Sequence, residues 1–200
     1  MKLWQKLRKT KKPVIVVSGL PRSGTSMMMK MLQAGGIEPV VDNIRAADED
    51  NPKGYFEFER VKQLDKGDTA WVAEAQGKAV KVISQLLKYL PAGYEYKVIF
   101  MRRAMPEILA SQKKMLINRG EDPNKVSDEE IATLFEKHLQ QVMAWLEAQP
   151  NMATLYVHYG KTLADPQTQA EMVRAFLGEE LDVAKMTAVV DPTLYRNRQS

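Results

Sequence analysis

The chain has 200 residues, 44% hydrophobic and 27% charged, which is the balance of a folded domain with one continuous core. It has no cysteine, so disulfides, thiolate zinc sites and cysteine nucleophiles are excluded. The net charge of +4 belongs to a tail: residues 1–13 hold six Lys or Arg and no acid, leaving the rest near −2 and arguing against a nucleic-acid-binding body.

In that tail, Leu3, Trp4 and Leu7 fit one face of a short basic helix touching a membrane surface, or a solvated terminus. No apolar run approaches the length of a membrane span, and no signal-peptide pattern is present. The expected organisation is therefore a basic tail, residues 1–13, and a single domain, residues 14–200, in the cytoplasm.

Residues 14–17 are four consecutive β-branched residues, as expected of a strand buried on both faces of a parallel sheet. "TSMMMKMLQA" has helical composition and meets a stop at Gly35-Gly36. Turn signals at Asp42-Asn43 and Asn51-Pro52 predict a long loop, with a helix beginning near Glu59. Residues 79–83 read as a short strand, and "SQLLKYLP" as a short helix ended by Pro91.

Residues 96–101 form a further strand, and Pro106 suits the first position of the next helix. Ser127 and Glu130 make a capping box ahead of a long amphipathic helix that ends before Pro150. "ATLYVHY" is the next strand, and Pro166 opens a helix that stops at Gly178. Strands alternate with helices, which predicts an α/β fold, a three-layer sandwich around a mostly parallel sheet.

"SGLPRSGTS", residues 18–26, directly follows the first strand. Gly19 and Gly24 have the spacing of a phosphate-binding loop, but Thr25 stands where triphosphatases carry lysine. Such a turn still aims backbone N–H groups at an anion. Pro21 lies within it, Ser23, Thr25 and Ser26 add hydroxyls, and Arg22 can make bidentate contact with phosphate or sulfate. The second strand that should end in a magnesium-binding acid ends instead in "VIFMRR". Two arginines repel a metal and favour a second anion, so no metal is expected.

These residues resemble the sulfotransferases that use 3′-phosphoadenosine 5′-phosphosulfate (PAPS). The family's first motif, approximately P-[RK]-S-G-T-[TS], is matched throughout by "PRSGTS". Its second motif, an arginine at a strand end with a serine eight positions on, is matched by Arg103 and Ser111, with Glu107 between. Softer similarities are "NPKGYFE", "YVHYGKTLADP" followed by "FLG", and the closing "DPTLYRNR". The resemblance implies a sulfotransferase fold related to the phosphate-loop triphosphatases. It also implies PAPS on Gly19, Pro21, Arg22, Ser23, Gly24, Thr25, Ser26, Arg103 and Ser111, with Arg196 and Arg198 in a closing flap.

Many cytosolic members carry a lysine and, two residues on, a histidine as base; here Lys81 is followed at that distance by Ile83. Glu57 becomes the first candidate base, because other branches of the family use a glutamate, with Lys81 and Arg22 assisting at the transferred group. Glu59, Asp50 and His158 follow in that order, and His138 reads as surface or packing. Tyr55, Phe56 and Trp71 are read as acceptor-site lining or core, and the methionines at 27, 28, 29 and 31 as the buried face of the first helix. The implied acceptor is a small molecule, carbohydrate or lipid with a hydroxyl or amine. Two other readings stay open: a phosphate-loop kinase of small molecules, and a nucleotide-binding module without turnover.

Overall fold

The computed structural model describes residues 12–42 and 56–191. Four strands, β1 (Val14–Gly19), β2 (Ala79–Lys81), β3 (Tyr96–Arg102) and β4 (Met152–His158), form one sheet in the order β2-β1-β3-β4, every pair parallel. All six residues of β1 are buried, as its unbroken β-branched run requires of a central strand. The strand after β1 joins one side of it and the next strand crosses to the other. The chain therefore reverses direction across the sheet between β1 and β3, the position where open α/β sheets bind ligands.

Helices cover both faces. Helix α1 (Thr25–Ala34) buries Met28, Met29, Met31 and Leu32 against Ile15, Val17, Ile99 and Met101. The opposite core combines Val14, Val16, Val98 and Phe100 with Val142 and Leu146 of α3 (Asp128–Glu147). Helices α4 (Tyr159–Ala164), α5 (Pro166–Leu177) and α6 (Val183–Ala188) complete the α1 side. The expected three layers and parallel sheet are present, and the methionines at 28, 29 and 31 are core side chains.

Local chemistry sets the ends. Ser127 and Glu130 form the expected capping box, with Glu130 N donating to Ser127 Oγ and Ser127 N to Glu130 Oε2, both at 3.2 Å. Gly178 adopts φ 64° just past α5, the left-handed cap that glycine accepts at least cost. Helix α2 (Met105–Asn118) begins one residue earlier than expected, so Pro106 takes its second position, where an N–H is still not required.

Three details depart from expectation. The helix at Glu59 is a 3₁₀ helix, Glu59–Lys66, because its buried residues Val61 and Leu64 stand three apart and eclipse in that geometry. Ser84–Tyr89 is likewise 3₁₀, and β2 stops at Lys81, with Val82 adding one more ladder bond to Val17 O. Between Ser111 and Val142, the end of α2 and the first half of α3 bury no side chain fully. The tail residues Leu3, Trp4 and Leu7, the loop residues Asp50 and Tyr55, and Arg196 and Arg198 lie outside the described residues. Among the described residues, no helix is long and apolar enough to cross a membrane.

Candidate functional site

The parallel strands deliver their carboxyl ends to one edge, and the loop Leu20–Gly24 turns there between β1 and α1. Leu20 is buried and anchors the turn, which Ser23 N closes onto Leu20 O at 3.2 Å. Gly19 has φ 148° and Gly24 φ 99°. A Cβ on Gly19 would lie 2.7 Å from Met101 O, and one on Gly24 would lie 2.4 Å from the Tyr159 ring, so both positions require glycine. Arg22 sits at φ 66°, a left-handed conformation unusual for arginine and of the kind found where a backbone is shaped for a ligand.

No side chain caps α1, so its first N–H groups face the loop's concavity with the helix dipole behind them. Ser18 and Ser23 are buried, and their Oγ atoms have no hydrogen-bond partner among the described residues. Buried hydroxyls left unpaired are costly, and a bound anion would satisfy a donor there. Glycine clearance, exposed helix N–H groups and orphaned hydroxyls all fit a phosphate or sulfate group.

The second cluster comes from β3 and α2. The Arg103 side chain is only 7% exposed; it donates to Glu107 Oε2 at 2.8 Å and to Arg22 O at 3.0 Å. Its guanidinium lies 4.3 Å from the Tyr159 ring centroid. Arg22 Nε donates to Ser111 Oγ at 2.9 Å. The two sequence motifs thus interlock: Arg22 reaches Ser111 on α2, and Arg103 holds the backbone of Arg22.

Tyr159 was not singled out in the sequence. Its phenol is pushed above the ordinary tyrosine value mainly by burial, with Arg103 opposing. The available signal was its place, an aromatic residue just past the carboxyl end of a parallel strand.

Lys81 pairs in register with Val17, two residues before Gly19. Its Nζ lies 3.8 Å from Glu57 Oε1, and Lys62 Nζ lies 3.7 Å from Glu57 Oε2. Glu57 and Lys81 are therefore one ion pair, largely shielded from solvent, with the more exposed Lys62 on its outer side. Phe56, immediately before Glu57, has φ 51°, a strained turn that sets the direction in which the carboxylate leaves the chain.

The other candidates fall elsewhere. Glu59 pairs with Lys62 at 2.7 Å on the surface. His138 Nε2 is 2.8 Å from the buried Ser84 Oγ, a packing role, and its imidazole is held below the ordinary histidine value by burial and then by Lys88. His158 ends β4 opposite Arg102 and is lowered by burial, then by Lys161 and Arg102. Trp71 is buried against Phe58, its Nε1 donating to Asp68 O at 3.0 Å, and is core rather than pocket lining. A groove of about 420 Å³ opens between α2 and α3, lined by Pro106, Leu109, Ala110 and Ala132, with the Lys113–Asp128 pair (2.8 Å) at its rim.

Comparison with known proteins gives the family and the fold. The model of the sulfotransferase family matches residues 53–183. Among solved structures, the sulfotransferase domain from the Synechococcus PCC 7002 olefin synthase aligns at 17% identity. It covers 98% of this chain and 87% of that domain, with a TM-score of 0.52. The sulfotransferase domain from the curacin biosynthetic pathway aligns at 15% identity over 90% of this chain and 78% of that domain, with a TM-score of 0.53. No curated protein matches the sequence.

Proposed function

Because the chain belongs to the sulfotransferase family, we propose that it transfers a sulfuryl group from PAPS to a hydroxyl or amine of an acceptor. The observation that carries this reading is the interlock of Arg22 with Ser111 and of Arg103 with the Arg22 carbonyl, which joins two anion-binding elements at one sheet edge. A ligand with a 5′-phosphosulfate and a 3′-phosphate offers one anionic group to each element. PAPS, when bound, supplies the sulfuryl group and leaves as the bisphosphate PAP.

In this reading the loop from Gly19 to Ser26 holds the 5′ end by its backbone N–H groups, with Ser23, Thr25, Ser26 and Arg22 adding side-chain donors. Arg103 and Ser111 hold the 3′-phosphate, oriented by Glu107 and Tyr159. Arg196 and Arg198 close over the nucleotide. Glu57 takes the proton from the attacking hydroxyl or amine as its bond to sulfur forms. Lys81, already beside Glu57, neutralises charge on the departing phosphate oxygen. The transfer asks for no metal, since no β–γ phosphate bridge has to be held. We further propose one domain over residues 14–200, a small-molecule, carbohydrate or lipid acceptor, and a cytoplasmic location, with which the absence of cysteine agrees.

The test is a comparison of ligands without magnesium. PAP raises the melting temperature and ATP does not; the reverse result would make the chain a kinase of small molecules. Turnover of labelled PAPS against pooled acceptors then separates an enzyme from a binding module.

A further inference from the structure

Arg102 and Arg103 are neighbours in sequence with opposite surroundings. Arg103 is engaged by Glu107, the Arg22 carbonyl and the Tyr159 ring. Arg102, the last residue of β3, projects to the other face of the sheet, where its Nη1 lies 2.8 Å from Met143 Sδ of α3. Among the described residues no carboxylate lies within ion-pair distance of it. A thioether is a weak acceptor and cannot neutralise a guanidinium. A half-buried cation without a counter-ion is expensive to hold, and its position is the edge where parallel sheets bind ligands.

Its surroundings are short of acceptors too. One row inside Arg102, the register places Ser18 of β1, Phe100 of β3 and Tyr156 of β4 side by side. Tyr156 OH and Ser18 Oγ are both buried without a hydrogen-bond partner. Arg102 acts electrostatically on Tyr156, opposing the upward push from burial and from Glu147. Lys161 and Arg102 act together on His158, which faces Arg102 across the β3–β4 pair. The result is an uncompensated cation and the unsatisfied Tyr156 hydroxyl at one mouth on the α3 face, separate from Arg22, Arg103 and Ser111.

We propose that Arg102, with the Tyr156 hydroxyl, holds an anionic group of the acceptor, so that the acceptor itself is an anion. A carboxylate, phosphate or sulfate supplies the chemistry the site lacks: a counter-charge for the guanidinium and lone pairs for the hydroxyl. Adjacent arginines then divide the work, Arg103 on the nucleotide and Arg102 on the acceptor, which brings the two reactants together. The inference rests on the sulfotransferase reading only in naming the anion's owner as the acceptor.

The experiment titrates the protein with inorganic sulfate, with and without saturating PAP, following arginine side-chain and histidine NMR signals. The expected result is a sulfate site that survives PAP and is weakened roughly 10-fold or more by Arg102→Gln. Arg102→Lys recovers most of the affinity. Tyr156→Phe weakens the site while raising the melting temperature of the free protein, because an unpaired buried hydroxyl has gone; a packing role would move the melting temperature alone. Sulfate binding that Arg102→Gln leaves intact, or that PAP abolishes, overturns the proposal. Should PAP itself fail to bind, the nucleotide reading falls, and the Arg102-dependent sulfate affinity still decides this one.

Discussion

Arg22 Nε of the phosphate loop donates a 2.9 Å hydrogen bond to Ser111 Oγ of α2, although 89 residues separate them. Ser111 is buried, so this contact fixes the loop's arginine against the first half of α2 rather than leaving it in solvent. The loop and the β3–α2 junction therefore act as one recognition element.

Replacing Arg103 with alanine should act on both binding and folding. Loss of a charge-assisted contact should weaken PAP binding by about 2–3 kcal/mol, while adenosine 5′-phosphosulfate, which lacks the 3′-phosphate, is hardly affected. The same change removes the Arg103–Glu107 ion pair, whose side chains are 7% and 12% exposed, and should lower stability by about 1.5–3 kcal/mol. Adding Glu107→Ala should return part of that stability and none of the PAP affinity. Calorimetry of both ligands with denaturant melts of both variants checks it; equal loss for the two nucleotides would refute the 3′ assignment.

Gly24→Ala introduces a methyl group 2.4 Å from the Tyr159 ring at φ 99°. Strain and overpacking together should cost about 2–4 kcal/mol, lowering the melting temperature by about 5–15 °C. Anion affinity should fall with it, since Tyr159 also stacks beneath Arg103. Gly36→Ala is the control: φ there is 105° but nothing lies within 4 Å, so only the conformational part of the loss should appear.

Glu57→Gln should slow sulfuryl transfer by roughly 10²–10⁴ with PAP affinity retained, because a base acts on the acceptor and not on the nucleotide. Lys81→Ala should slow turnover as well. Since the two side chains form one ion pair, the double variant should be much less than additive. Single-turnover rates give the answer, and a Glu57→Gln enzyme at the wild-type rate would move the search to Glu59, Asp50 and His158 in turn.

His138 and His158 both have proton affinity lowered in the folded state, burial being the main cause. The unfolded chain then binds protons more readily below its ordinary value of 6.5, so stability is full above that pH and falls as the solution is acidified through it. Thermal melts between pH 8 and pH 5 should show this slope, and His138→Asn should flatten it while keeping a polar partner for Ser84. A slope unchanged by that substitution would assign it to other groups.

Much of the fold was written locally. The bounds of α1 follow from a helical run and two glycines, the start of α3 from Ser127 and Glu130, and β1 from four β-branched residues. Fold class came from their alternation. The two basic clusters were also legible, because each combines a strand end with residues fixed in spacing. What the sequence concealed are contacts between elements: Tyr159 against Gly24, Glu57 against Lys81, and the unequal fates of Arg102 and Arg103. These depend on which strand ends meet, and no periodicity records that. The 3₁₀ character of Glu59–Lys66 and Ser84–Tyr89, both expected as helices, and the short helices α4 and α6 escaped for another reason, being too brief for a helical repeat to declare itself.

The long hairpin of α2 and α3 has a kinetic consequence. Thirty consecutive residues, 112–141, bury nothing fully, so they add little to the cooperative unit that the sheet and its two cores create. Their amides should exchange by local opening long before those of β1 and β3. Conservative substitutions at exposed sites such as Leu134 should leave the refolding rate almost unchanged, since an exposed side chain has few native contacts to form in the transition state. The stretch that follows Ser111 is thus among the described parts of the chain freest to change sequence without endangering the fold.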